Sequence, residues 1–247
     1  MKTVFFTLLL VLTSLANAGH QRIVVMAPHP DDAEASCGGL IANAVAAGDS
    51  VIILTMTGGE LGIWRKTEAE ARAIRTEEAR NAAAVLGARV EFFGGIDASL
   101  PVDTAATSKL KRILLQLRPD IVLAPWPLDV HPDHQATGIL AWRVFLDRAF
   151  SCDLYFYETS NNPHTKSFDF IPTDYVDISG VINQKKEALY KMKSQKPADW
   201  WGMYEQMAVV HGYEADVPYA EAYARARTYS GIGGRPGVTG KSLMKKE

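Results

Sequence analysis

The chain has 247 residues, with 26 Lys and Arg against 28 Asp and Glu and a formal net charge of −2. That balance offers no basic surface to a nucleic acid or an anionic membrane, so neither is expected as a partner. The length is enough for one compact domain with a substantial core, and the two cysteines, Cys37 and Cys152, read as buried free thiols.

Residues 1–18 read as a leader. Lys2 precedes an apolar run from Val4 to about Leu15, and Ala16-Asn17-Ala18 supplies a small-residue cleavage site. The run is too short for a stable membrane span. The expectation is cleavage after Ala18, export to a secreted or periplasmic location, and a single domain over residues 19–247.

The domain then alternates two periods. Residues 22–28 (RIVVMAP) form a β-branched run that predicts a buried strand. A small apolar helix over 38–48 stops at Gly48, and SVIILTMT (50–57) is the second strand. Thr67 and Glu70 make a capping box for a charged helix ending at Gly87, with Glu68 and Arg72 spaced as a solvated i,i+4 pair. RVEFFG (89–94) is the third strand, 108–117 a helix, and DIVLAPWP (120–127) the fourth strand. A helix over 136–150 and a strand over 153–159 follow. Beyond them a strand at 174–179 and a helix at 183–195 are expected, then an irregular Trp/Tyr/Gly-rich end and a mobile tail, GVTGKSLMKKE. Strands alternating with helices imply βαβ units: an α/β, Rossmann-like, three-layer fold with a mostly parallel sheet.

Ligands of such sheets sit at the carboxyl ends of the strands. His29, Asp31 and Asp32 directly follow the first strand, and DVHPDHQATG (129–138) follows the fourth. Taken singly, each has an ordinary reading: adjacent aspartates suit a helix N-terminus, and a histidine suits a loop. Two such clusters at matching strand ends point to one pocket holding a cation, which neutralises the carboxylates and takes neutral imidazoles as ligands. Histidine plus carboxylate without thiolate favours a hydrolytic zinc site with a position open for water. The ion acidifies the water, a carboxylate accepts its proton, and a charged imidazole stabilises an oxyanion.

HPDDAE…GG followed about a hundred residues later by HPDH resembles the PIG-L/LmbE family of zinc-dependent N-acetyl-sugar deacetylases. IRTEEARNAAAVLG, RPDIVLAPWPLDVHPDH, KKEALYKMKSQ and YAEAY continue the likeness in family order over most of the chain. Pro28 stands where alanine is commoner, and Ala33 separates Asp32 from Glu34 as in one branch. The resemblance implies His29, Asp32 and His134 as metal ligands, with Asp31 as general base. It implies His131 as the group stabilising the tetrahedral intermediate, Asp133 as the carboxylate orienting His131, and Arg75 as a substrate-binding residue. Asp97 is a weaker candidate for a sugar hydroxyl, and Glu34 supports the loop or caps the helix. The activity implied is deacetylation of an N-acetylated amino sugar or glycoconjugate. A carbohydrate-binding pseudoenzyme would need neither Asp31 nor His131. A nucleotide-binding Rossmann protein would need a G-x-G-x-x-G turn after the first strand, which is absent.

Overall fold

A computed structural model describes residues 20–147, 152–160 and 167–226. The expected leader and the tail expected to be mobile lie outside these residues.

Seven strands form one sheet in the order β3-β2-β1-β4-β5-β7-β6. β1 (Arg22–Ala27), β2 (Ser50–Thr57), β3 (Arg89–Gly95), β4 (Ile121–Pro125) and β5 (Asp153–Tyr157) are parallel. β7 (Ala220–Arg225) runs antiparallel to both β5 and β6 (Asp174–Asp177). The strands alternate between two cores, as period 2 demands. Ile23, Val25 and Ala27 pack with α1 (Asp32–Ala46), α2 (Glu68–Leu86) and α5 (Ile182–Leu189). Val24 and Met26 pack on the other face with α3 (Thr104–Leu117) and α4 (Pro132–Phe145). The result is three layers.

The Thr67–Glu70 capping box forms as expected, and Gly87 closes α2 in the left-handed region at φ 72°. Three expectations need correcting. α1 begins at Asp32, six residues before the predicted start, so the aspartate motif is itself the first turn. Arg72 turns away from Glu68 and pairs with the buried carboxylate of Glu60, because a desolvated anion needs a fixed partner more than an exposed one does. The C-terminal region is not irregular: α6 (Trp201–Ala215) and β7 occupy it, and β7 is buried through most of its length. Aromatic residues gave no period there because Trp201 and Tyr204 face a small separate core with Ala35 and Leu189.

Cys37 and Cys152 are both buried, in cores on opposite faces of the sheet. Among the described residues no helix is long and apolar enough to cross a membrane.

Candidate active site

The chain leaves β1 toward β2 on one side, whereas β4 lies on the other side of β1. α1 and α4 consequently cover opposite faces, and a crevice opens at the carboxyl ends of β1 and β4. Both sequence clusters meet in this crevice.

The Asp32 carboxylate is the hub. Its Oδ2 accepts the backbone N–H of His29 at 2.8 Å, lies 3.2 Å from His29 Nδ1 and 3.4 Å from His134 Nε2. The far nitrogen of each ring is also held by carboxylate. His29 Nε2 lies 3.1 Å from Asp97 Oδ1 and 3.2 Å from Asp133 Oδ2, and His134 Nδ1 lies 3.1 Å from Asp129 Oδ1. Burial works against charge on these rings, yet the surrounding carboxylates dominate. Asp133, Asp32 and Asp97 hold His29 well above its usual range, and Asp32 and Asp129 bring His134 to about 9. Asp32, despite burial, is held well below the carboxylate range by His134 and His29. A field that favours protons at these nitrogens favours a cation at the same place.

The donor set fits a zinc-type ion: two imidazoles and one carboxylate converge, and each imidazole is backed by an acceptor that fixes its orientation. Two sets, His29, His131 and His134, and His29, Asp97 and Asp133, have donor atoms within 4.8 Å of one another. Asp32 fits better as the third donor beside His29 and His134, because its Oδ2 lies within 3.4 Å of a nitrogen of each ring, whereas Nδ1 of His131 is occupied. That nitrogen accepts the N–H of Asp133 at 3.2 Å, capping α4.

The same bond corrects the expected charge on His131. With Nδ1 an acceptor, the ring proton sits on Nε2. Burial and the neighbouring His29 and His134 push the His131 pKa down, so the ring acts as a neutral N–H donor.

Asp133 also differs from expectation. Its carboxylate does not orient His131; it accepts the N–H groups of Ala98 at 2.7 Å and Leu100 at 3.1 Å and faces His29. Only its backbone serves His131. Asp97 is likewise engaged, by His29 and by the N–H of Leu61 at 3.0 Å, and His29 draws it down to about 2 against burial. Both acids border the crevice as supports for His29.

Asp31 faces away from Asp32. Its backbone has φ 125° and ψ −30°, an uncommon conformation for a residue with a Cβ. Its side chain makes no helix cap and instead meets Arg75, with Nη2 2.7 Å from Oδ2. Among the described residues Oδ1 of Asp31 carries no hydrogen bond. Burial pushes Asp31 up to about 6 while Arg75 pulls it down. Arg75 is itself buried, at 4% exposure, and donates also to the carbonyls of Pro30 and Gly59. Gly59, at φ +60°, makes room for it: a Cβ there would lie 2.2 Å from Arg75 Nη1. Glu34 is neutral near pH 7, because burial pushes it to about 8. Its carboxyl meets the backbone amides of Glu34 and Asp31, so it supports the loop, as expected.

Sequence reasoning missed Asp129. It is buried, accepts the N–H of His131 at 2.9 Å, receives the Ser167 hydroxyl at 3.2 Å and backs His134. Its place five residues before His134 was a usable signal, since an imidazole that is to hold a metal needs an acceptor behind it.

Residues 24–145 match the PIG-L family, described as GlcNAc-PI de-N-acetylase. A diacetylchitobiose deacetylase of Thermococcus kodakarensis is 28% identical over 221 residues, covering 81% of each chain. A 4-oxalmesaconate hydratase of Pseudomonas putida is 27% identical, covering 81% of this chain and 83% of that one. In structure, a conserved protein from Thermus thermophilus superposes with a TM-score of 0.73 at 32% identity, covering 87% of this chain and all of that one. Motif pair, strand order and near-full-length relatives agree, and the chain belongs to the PIG-L family.

Proposed function

We propose that this protein is a zinc-dependent amidohydrolase that removes the acetyl group from an N-acetylated amino sugar. One observation carries the reading: two adjacent aspartates face apart, Asp32 between the imidazoles and Asp31 on Arg75. A binding protein has no use for that division.

An ion held by His29, Asp32 and His134 would supply Lewis acidity toward a carbonyl oxygen and a water. Asp31 then accepts a proton from the attacking water at Oδ1, the oxygen that Arg75 leaves open. The Nε2–H of His131 is the donor for the oxyanion that forms as the carbonyl carbon becomes tetrahedral. Asp31 returns its proton to the leaving nitrogen as the C–N bond breaks, giving a free amine and a carboxylic acid, whose remaining proton passes to the amine.

The hydratase relative raises a second chemistry, addition of water to a substrate whose name denotes carboxylates. The lining of the crevice disfavours it here. Asp31, Asp32 and Asp97 face the cavity, and the one arginine or lysine on its wall, Arg75, is already paired with Asp31. A neutral, hydroxyl-rich sugar suits such a wall better than a polyanion. Acetate release from N-acetyl amino sugars, measured with added zinc, tests the reading. Turnover of unsaturated dicarboxylates without acetate release would replace it.

The reading includes export, for which the leader composition is the support. N-terminal sequencing of exported protein is expected to begin at or near Gly19; Met1 on exported material would refute it.

A further inference from the structure

Two chambers meet over Asp31 and Asp32. The larger, about 290 Å³, holds His29, Arg75, Asp97, His131 and His134 on its walls. The smaller, about 170 Å³, lies beyond the aspartates and is walled by Ala35, Ser160, Trp200 and Tyr204. Gln195 borders both.

We infer that the smaller chamber receives the acyl group of the substrate, and that the enzyme cleaves N-acyl groups larger than acetyl. The inference rests on the amidohydrolase reading. The carbonyl carbon under attack carries two substituents that diverge, the amine side and the acyl side. Asp31 and Asp32 are common to both chambers, so the scissile bond lies at their junction with one substituent in each. The larger chamber has the charged and imidazole groups that match a sugar's hydroxyls and amine. Beyond the aspartates the smaller carries no imidazole or cation and is walled by the half-buried Trp200 ring, Tyr204 and Ala35 beside the polar Ser160 and Gln195, so the acyl group is assigned there.

An acetyl methyl is roughly the size of one water's share of the liquid, about 30 Å³, and leaves most of such a chamber to solvent. The walls do not close on a small occupant. Tyr204 Oη donates to the Ser160 carbonyl and accepts the Ser160 N–H, both at 3.1 Å. Trp200 Nε1 donates to the Gln195 carbonyl at 2.9 Å, and the two rings pack edge to face with centroids 5.6 Å apart. A fixed space of this size rewards a longer acyl group, with each buried methylene worth up to about fourfold in binding.

The test compares N-acetyl-, N-propionyl-, N-butyryl- and N-benzoylglucosamine on the zinc-loaded full chain, reading the same product, free glucosamine, each time. The butyryl compound is expected to be cleaved with a kcat/KM equal to or above that of the acetyl compound. A closed acetyl pocket would instead lose about 10-fold or more per added methylene, and that result overturns the inference while leaving the deacetylase reading intact. Release of glucosamine from none of the four, with metal content intact, sinks both readings. Trp200→Ala is expected to lower the butyryl-to-acetyl ratio several-fold. If it alters only the preference between N-acetylglucosamine and its disaccharide, the chamber holds sugar and the inference falls.

Discussion

Nη2 of Arg75 lies 2.7 Å from Oδ2 of Asp31, joining the middle of α2 to a strained residue at the head of α1. The arginine offsets burial, which by itself favours the protonated, inactive acid. Asp31 sits at about 6 with Arg75 in place, so the base is mostly ionised at neutral pH. Replacing Arg75 by Met removes the pull and raises the Asp31 pKa. The acid limb of kcat/KM should therefore move to higher pH, by about one unit or more. A rise in KM with an unmoved acid limb would show that Arg75 serves the substrate alone.

Asp31 and Asp32 are chemically identical, so placement alone makes one a base and one a ligand. Asp31→Asn should keep stoichiometric zinc and lose about 10²–10⁴ in rate, because an amide cannot accept the water's proton. Asp32→Asn should lose metal affinity first, with activity partly restored by excess zinc. His131→Ala should keep its metal and lose about 10²–10³ in kcat, as expected for a missing oxyanion donor. Zinc content and acetate release measured on all three together decide the assignment. Loss of zinc from the His131 variant, with retention in the Asp32 variant, would favour the three-histidine set.

Much of this site was legible because chain order dictates it. A β-branched run followed by a polar cluster places that cluster at a strand end, and a parallel sheet gathers strand ends at one edge. That His29, Asp32 and His134 meet needed only that argument. What side chains face within the crevice was not legible. Asp133 lies beside His131 in sequence yet spends its carboxylate on His29, 104 residues away, because His131 needs the Asp133 backbone to cap α4. Arg75 has the spacing of an exposed helix residue, and only the glycine turn at Gly59 lets it lie buried under the loop. α6 and β7 were missed for a related reason: Trp201 and Tyr204 of α6 pack on Ala35 of α1, and β7 is held by pairing with β5 and β6, contacts that leave no period in the sequence.

Asp129 backs His134 at 3.1 Å while its second oxygen receives Ser167. Its loss should leave the ligand present but loosely oriented. Asp129→Asn is expected to weaken zinc binding by about 10–100-fold, read by competition with a chelator of known affinity. An Asp129→Asn protein with unchanged zinc affinity but lower turnover would place the residue in substrate handling instead.

The Lys185–Glu221 pair is the tie that brings the C-terminal elements onto α1. Lys185 Nζ lies 2.6 Å from Glu221 Oε1, with both side chains almost fully buried. Glu221 also accepts the backbone N–H groups of Gly39 and Leu40, each at 2.8 Å, and the Tyr223 hydroxyl at 2.8 Å. Gly39 is needed for this approach, since a Cβ there would meet Ile178 at 2.3 Å and Glu221 at 3.1 Å. Lys185→Met leaves a buried carboxylate with neutral donors only, and removal of one partner of such a pair costs about 3–5 kcal/mol. Urea unfolding should show a loss of that size. The double variant Lys185→Met/Glu221→Gln should recover part of it, because no uncompensated charge then remains. The zinc content of the folded fraction should stay unchanged, since neither residue touches the metal-binding side chains. Single variants within about 0.5 kcal/mol of the parent would mean that α5 and β7 dock on α1 by apolar packing alone.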